Sequence, residues 1–202
     1  MDWIQAGAEW IHLVDLDGAK AKQVINWKVL ERIASQTKLI IDFGGGVRTS
    51  NDVEVVFNSG AAMVTAGSIA VTQPDVVLQW LERFGADKVI LGADVKGQHI
   101  AIHGWQEQGT VKWPSFIEGY TQQGITQVIC TDVAKDGMLQ GPSIGLYKDI
   151  MAGFPKLQLI ASGGVSNMDD LHQLDEIGVA GTILGKAIYE GRVTLKELAA
   201  FA

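Results

Sequence analysis

Residues 42–50 read DFGGGVRTS, three glycines set between an apolar run and an arginine. Upstream, KLIIDF (38–43) is a continuous apolar segment carrying a carboxylate near its end. Downstream, SNDVEVVF (50–57) has the pattern of the first turns of an amphipathic helix. A strand therefore runs into glycines and a helix starts. Backbone N–H groups can converge on a phosphate in this geometry. An ordinary tight strand-to-helix turn also uses glycine, and the stretch by itself fits both readings.

The passage occurs twice. IIDFGGGVRTSNDVEVVFNSGAAMVTAGSIAV (40–71) matches LIASGGVSNMDDLHQLDEIGVAGTILGKAIYE (159–190). Gly46 to Gly60 and Gly164 to Gly178 are both 14 residues, and Gly46 to Gly67 and Gly164 to Gly185 are both 21. Val47 and Val165, and Asp52 and Asp170, pair at the same offset of 118. Matched glycines without a gap indicate an internal duplication of a strand–helix–strand unit.

Outward from this repeat, strands are predicted at 10–16, 38–43, 61–67, 88–95, 126–133, 157–162 and 180–185. Most are apolar throughout, the pattern of strands covered on both faces. Amphipathic helices alternate with them. Val53, Val56 and Phe57 share one helical face, with Thr49 or Ser50 as N-cap. In TQPDVVLQWLERFG, Thr72 can cap, Pro74 sits in the first turn and Gly85 follows the last. Met168, Leu171, Leu174 and Ile177 form a third stripe, with Ser166 before it. Repeated strand–helix alternation predicts a parallel α/β protein. No linker composition appears, so residues 1–202 read as one domain, and a closed (β/α)8-type TIM barrel is one architecture this alternation allows.

On such a barrel the turns after the strands share the C-terminal rim, where active sites lie. Gly45 and Gly46 with Gly67 and Ser68 form one anion site, and Gly163 and Gly164 with Gly185 and Lys186 a second. Two such sites suit a substrate with a phosphate at each end; glycines serving only helix–strand packing remain the alternative. Seven strands are predicted where a duplicated barrel has eight. WIQAG (3–7) reads as a helix following an absent first strand, so the chain reads as strands 2–8, lacking its first βα unit. That would leave unpaired strand edges.

Composition narrows the class. At 47% hydrophobic the chain buries a substantial core. A net charge of −7 argues against a nucleic-acid surface, so an anionic ligand is held by local donors. The single cysteine, Cys130, excludes an internal disulfide and a CxxC site. The N-terminus has no signal-peptide pattern, and no apolar stretch is long enough to span a bilayer. The reading is a soluble cytoplasmic protein.

Asp94 closes a predicted strand in an apolar context, a position that is often catalytic on this fold and often only bonds a neighbouring loop. Asp15, Asp17, Asp132 and Asp136 add carboxylates around the same mouth, Asp17 and Asp136 having the DG context of turn residues. His99, His103 and Trp105 follow Asp94 on a predicted active-site loop. No HExxH or cysteine cluster suggests a metal. GTILGKA lacks Walker A spacing and GGGVRTS lacks GxGxxG, so nucleotide readings are weak.

WIHLVDLDGA, IDFGGGVR, GADVKG followed by HGW, TDVAKDGMLQGP, ASGGVS and GKAIYEG, in that order, resemble the isomerase of histidine biosynthesis that acts on phosphoribosylformimino-aminoimidazole-carboxamide ribotide (ProFAR). The resemblance covers essentially the whole chain. It implies a (β/α)8 barrel of two half-barrels, no metal or organic cofactor, and an Amadori rearrangement of an aminoaldose to an aminoketose on a bisphosphorylated substrate. By resemblance Asp94 is the general acid, whose task calls for a raised pKa, and the general base belongs to the absent first strand. Gly45, Gly46, Gly67 and Ser68 hold one phosphate, with Arg48 nearby, and Gly163, Gly164, Gly185 and Lys186 hold the other. Trp105 closes over the substrate, and Thr131 and Asp136 contact it. Arg48 also fits a surface residue at a helix start. The partner implied is a small bisphosphate, with no nucleic acid or membrane; a monomer is compatible with this.

Three alternatives stay open on the residues. The cyclase subunit of imidazole glycerol phosphate synthase shares the duplication and both phosphate sites, although VDLDGA and the HGW loop favour the isomerase. A bifunctional enzyme that also isomerises phosphoribosylanthranilate uses the same acid–base chemistry. An inactive phosphate-binding protein needs no base.

Overall fold

The computed structural model describes residues 7–102, 105 and 107–201. The helix expected at WIQAG and the position of His103 lie outside the described residues. Nine strands are described: β1 (Trp10–Val14), β2 (Ile40–Gly44), β3 (Met63–Ala66), β4 (Val89–Lys96), β5 (His99–Ile102), β6 (Glu107–Lys112), β7 (Gln127–Asp132), β8 (Gln158–Ser162) and β9 (Gly181–Ile183). Their order, β1-β2-β3-β4-β7-β8-β9, follows the chain, with β5 and β6 branching from β4. β1 to β4 pair in parallel, as do β7 to β9. Each of the seven predicted strands is present. The fold class is α/β, with the sequential strand order of a (β/α) barrel.

The helices are α1 (Leu16–Ala21), α2 (Trp27–Gln36), α3 (Ser50–Asn58), α4 (Ser68–Thr72), α5 (Pro74–Phe84), α6 (Trp113–Gln122), α7 (Ile144–Gly153), α8 (Met168–Glu176), α9 (Lys186–Tyr189) and α10 (Leu195–Phe201). The chain divides into two compact units, Met1–Leu91 and Gly92–Ala202. In the first, Leu30 of α2, Ile41 and Phe43 of β2, Val53 and Val56 of α3, and Val77 and Trp80 of α5 are almost fully buried. In the second, Ile117 of α6, Val128 and Cys130 of β7, Tyr147 and Ile150 of α7, Leu159 of β8 and Leu174 of α8 fill the same role. β1 stands at one end of the strand order, and its Trp10 and Val14 are exposed, as on an edge strand.

Local chemistry explains where the helices begin. Thr49 caps α3 in a full capping box: its hydroxyl accepts from Asp52 N, while Asp52 accepts from Thr49 N. Asn167, not Ser166, caps α8; Ser166 instead donates through N and Oγ to Asp170. Thr72 does not cap α5. It ends α4, its hydroxyl donating to Ser68 O, and Gln73 stands at the N-cap with Pro74 in the first turn. A short helix between β3 and α5 is invisible to a pattern that treats the segment as one element. The stretch after Asp94, expected as a loop, is an antiparallel hairpin: β4 runs on to Lys96, and His99 and Ile100 of β5 pair with it.

The duplication holds element by element. β2 and β8 have bounds 118 apart, as do α3 and α8, and α4 and α9 begin 118 apart. It also extends upstream at an offset of 117, which the sequence comparison did not reach. α2 (27–36) maps onto α7 (144–153), and Asp15 at the end of β1 maps onto Asp132 at the end of β7. The one-residue change of register falls between α2 and β2.

Candidate active site

In the first unit the glycine turn lies against the loop that follows β1. Asp15 N donates to Gly44 O at 2.8 Å. Gly45 and Gly46 have φ of +92° and +80°; a Cβ on Gly45 would lie 2.4 Å from Asp15 O, and one on Gly46 2.4 Å from Gln23 O. Close backbone approach therefore accounts for both glycines, as in the packing reading. Gly67 differs. A Cβ there meets nothing within 4 Å, so the space beside it is open to a ligand. Ser68 follows at the start of α4. Arg48 is half-buried, its N–H donating to Asp52, and among the described residues its guanidinium pairs with no carboxylate.

Asp15 is a buried carboxylate with an unusually complete set of donors. Gly18 N reaches Oδ1, and Ile25 N and Asn26 N reach Oδ2, each at 2.8 Å, while Asn26 Nδ2 reaches Oδ1 at 2.6 Å. Burial alone would raise its pKa, but the bonds from Asn26, Gly18 and Ile25 outweigh burial and hold the carboxyl below its ordinary value. Asp15 thus organises its loop. On the strands of the same unit, His12 Nδ1 lies 2.5 Å from Asp42 Oδ2, and Thr65 Oγ1 donates to the same carboxylate. This polar cluster on β1, β2 and β3 was not anticipated, although His12 and Asp42 each interrupt an otherwise apolar strand.

In the second unit Asp136, Gly163, Gly164, Gly185 and Lys186 line one pocket of about 190 Å³. Gly163 and Gly164 have φ of +93° and +90°; a Cβ on Gly164 would lie 2.4 Å from Gly141 O, and one on Gly163 3.2 Å from Asp132 O. At Gly185 it would meet nothing within 4 Å, repeating the contrast between Gly46 and Gly67. Lys186 Nζ donates to Gly137 O at 2.9 Å and stands 3.6 Å from Glu190. Burial pushes the Asp136 carboxyl above its ordinary pKa. Thr131 is buried in β7, on the opposite face from Cys130 and Asp132.

Asp94 is half-buried on β4, two residues before the strand ends. Trp105 Nε1–H donates to its Oδ2 at 2.8 Å. Trp105 has φ of +68°, a rare conformation for a bulky residue that persists only where the surroundings enforce it. Cys130 is fully buried, and burial, with the charges of Asp94 and Asp132, raises its thiol pKa far above the ordinary range. It is not a nucleophile at neutral pH. Among the described residues no group of three or more His, Cys, Asp or Glu could hold a metal ion, and no helix is long and apolar enough to cross a membrane.

The family profile "Histidine biosynthesis protein" matches residues 1–194. The chain belongs to this family. A protein of Parabacteroides distasonis is 54% identical over 195 residues, covering 96% of this chain and 82% of that protein. One of Flavobacterium psychrophilum is 54% identical over 195 residues, covering 96% and 81%, and one of Cytophaga hutchinsonii is 51% identical over 196 residues, covering 97% and 82%. All three are named as imidazole-4-carboxamide isomerases, their names carrying a 5-phosphoribosyl and a 5-phosphoribosylamino group.

Proposed function

We propose that this isomerase of histidine biosynthesis opens the aminoaldose ring of ProFAR with Asp94 as general acid and carries the substrate's phosphates on its repeated glycine turns. The observation that carries the reading is the assembly of Gly163, Gly164, Gly185, Lys186 and Asp136 around one pocket, within a chain whose relatives are named for a compound with two phosphoribosyl groups.

Opening the ring requires a proton on the ribose ring oxygen as its bond to C1 breaks, leaving an imine at C1. Asp94 supplies that proton. Loss of the C2 proton to a base then gives an enolamine, and reprotonation yields the ketose. Trp105 orients Asp94 through the bond to Oδ2 and covers the reacting sugar. The N–H groups after Gly163 and Gly185, with the Lys186 ammonium, hold one phosphate. Gly45, Gly46, Gly67 and Ser68 hold the other, with Arg48 adding charge. Thr131 and Asp136 contact the substrate between these ends.

The test is steady-state turnover of ProFAR by the full-length enzyme and its Asp94→Asn variant. Loss of the acid should lower kcat by about 10²–10⁴, the usual contribution of a general acid, with KM little changed. Unchanged kcat in Asp94→Asn would remove Asp94 from the chemistry.

A further inference from the structure

The strand-end carboxylate Asp132 closes a loop upon itself. Its Oδ1 accepts from Ala134 N at 3.0 Å, and its Oδ2 accepts the hydroxyl of Ser143, eleven residues on. The backbone between them rests on the second glycine turn. Gly141 N donates to Gly164 O at 2.9 Å; a Cβ on Gly164 would strike Gly141 O, and one on Gly163 would crowd Asp132 O. The same loop supplies Asp136, Gly137 and Leu139 to the pocket wall, and Gly137 O receives Lys186 Nζ.

Asp15 and Asn26 are the repeat counterparts of Asp132 and Ser143, also eleven residues apart and also bonded. The two clasps differ in strength. Asp15 takes three backbone N–H groups as well as the Asn26 amide. The Asp132 carboxylate takes one backbone N–H, and the far end of its loop is tied to that carboxylate by a single hydroxyl proton. A hydroxyl bonded to a carboxylate is a strong, charge-assisted closure, but it depends on one side chain.

We infer that Ser143 is a positioning residue: through Asp132 it latches loop 132–143 over the second glycine turn and so sets the affinity of the adjoining pocket for a phosphate group. This deepens the phosphate reading and rests on it. The latch acts through the loop, since Ser143 does not line the pocket. Opening it frees Gly141 from Gly164 O and withdraws the wall that holds Asp136, Gly137 and the Lys186 ammonium.

The experiment follows backbone amides by NMR in wild type, Ser143→Ala, Ser143→Thr and Asn26→Ala, first without ligand and then with inorganic phosphate. Without ligand, Ser143→Ala should speed hydrogen exchange at Asp136 and Gly141 by about tenfold, the scale of one hydrogen bond to a charged group. Inorganic phosphate should shift the Gly164 and Gly185 amides of wild type, with its dissociation constant raised about tenfold in Ser143→Ala on the same ground. Ser143→Thr, which keeps the hydroxyl, should restore both. Asn26→Ala should leave phosphate affinity at Gly164 and Gly185 unchanged, a result that general destabilisation would not give. Unchanged exchange in Ser143→Ala overturns the latch, whatever phosphate does. Faster exchange with unchanged affinity overturns its control of the pocket. Wild type whose Gly164 and Gly185 amides ignore phosphate overturns the phosphate reading, and the affinity role of Ser143 with it, while the exchange data still judge the latch alone.

Discussion

Alanine at Gly46 and at Gly164, with Gly97 as reference, separates close backbone approach from mere conformational preference. All three glycines have positive φ, +80°, +90° and +64°. A Cβ on Gly97 meets nothing within 4 Å, so Gly97→Ala bears only the left-handed penalty of about 1–2 kcal/mol. At Gly46 that atom would lie 2.4 Å from Gln23 O, and at Gly164 2.4 Å from Gly141 O. Both obstacles are backbone carbonyls of the clasped loops, not flexible side-chain tips. Overpacking adds about 1–3 kcal/mol, bringing each of these substitutions to about 2–5 kcal/mol. In a chain of this size about 1 kcal/mol moves Tm by 2–4 °C, so Gly97→Ala should melt about 2–8 °C low and the other two about 4–20 °C low. Gly46→Ala and Gly164→Ala should fall together, because each added Cβ meets a backbone carbonyl at the same distance. Calorimetry measures Tm, and urea midpoints at unchanged m-value exclude a change in the unfolded state. If both variants melt within about 2 °C of Gly97→Ala, the loops yield freely and close approach is not what requires glycine.

Two further outcomes follow from the carboxylates. Asp15→Ala leaves the N–H groups of Gly18, Ile25 and Asn26 without their acceptor and should cost about 2–4 kcal/mol at neutral pH, read from urea unfolding. Because the folded pKa of Asp15 is lowered, its linkage contribution is present above the ordinary value of 3.8 and is lost as pH falls through the folded value; Asp15→Asn should therefore flatten the acid limb of stability against pH. Asp136 has the opposite sign. Its folded pKa is raised by burial, so its contribution is present below 3.8 and is lost as pH rises through the folded value. Asp136→Asn should unfold at higher urea than wild type at pH 7, with the advantage vanishing near pH 3; a variant less stable at both pH values would show that its charge carries no penalty.

Much of the fold was legible because the signals are local. Seven apolar runs bounded by turn residues became seven strands, and the 118-residue offset reappears in the bounds of β2 and β8 and of α3 and α8. The strand position of Asp94 and the two glycine turns were legible as well, through their order along the chain and their matched spacing. The β5–β6 hairpin was not, since HIAIHGW has no turn dipeptide to announce strand pairing and its partner segment is polar. Nor was the upstream half of the repeat: Asp15/Asp132 and Gln23/Gln140 are the only identities joining residues 15–26 to 132–143 at that offset, and the correspondence shows in the bounds of α2 and α7 and in the bonding.

The sequence by itself determined that strands end in glycine turns, that this happens twice, and that carboxylates stand at strand ends. These properties depend on spacing, which a chain carries without folding. Only the tertiary structure decided why the glycines are there. Gly46 and Gly164 yield to carbonyls drawn from distant loops, while Gly67 and Gly185 face open space; nothing in GGG and SGG or in AGS and LGK announces that difference. It also decided that Asp15 and Asp132 clasp loops, because a carboxylate's role depends on which donors the fold brings within about 3 Å of it.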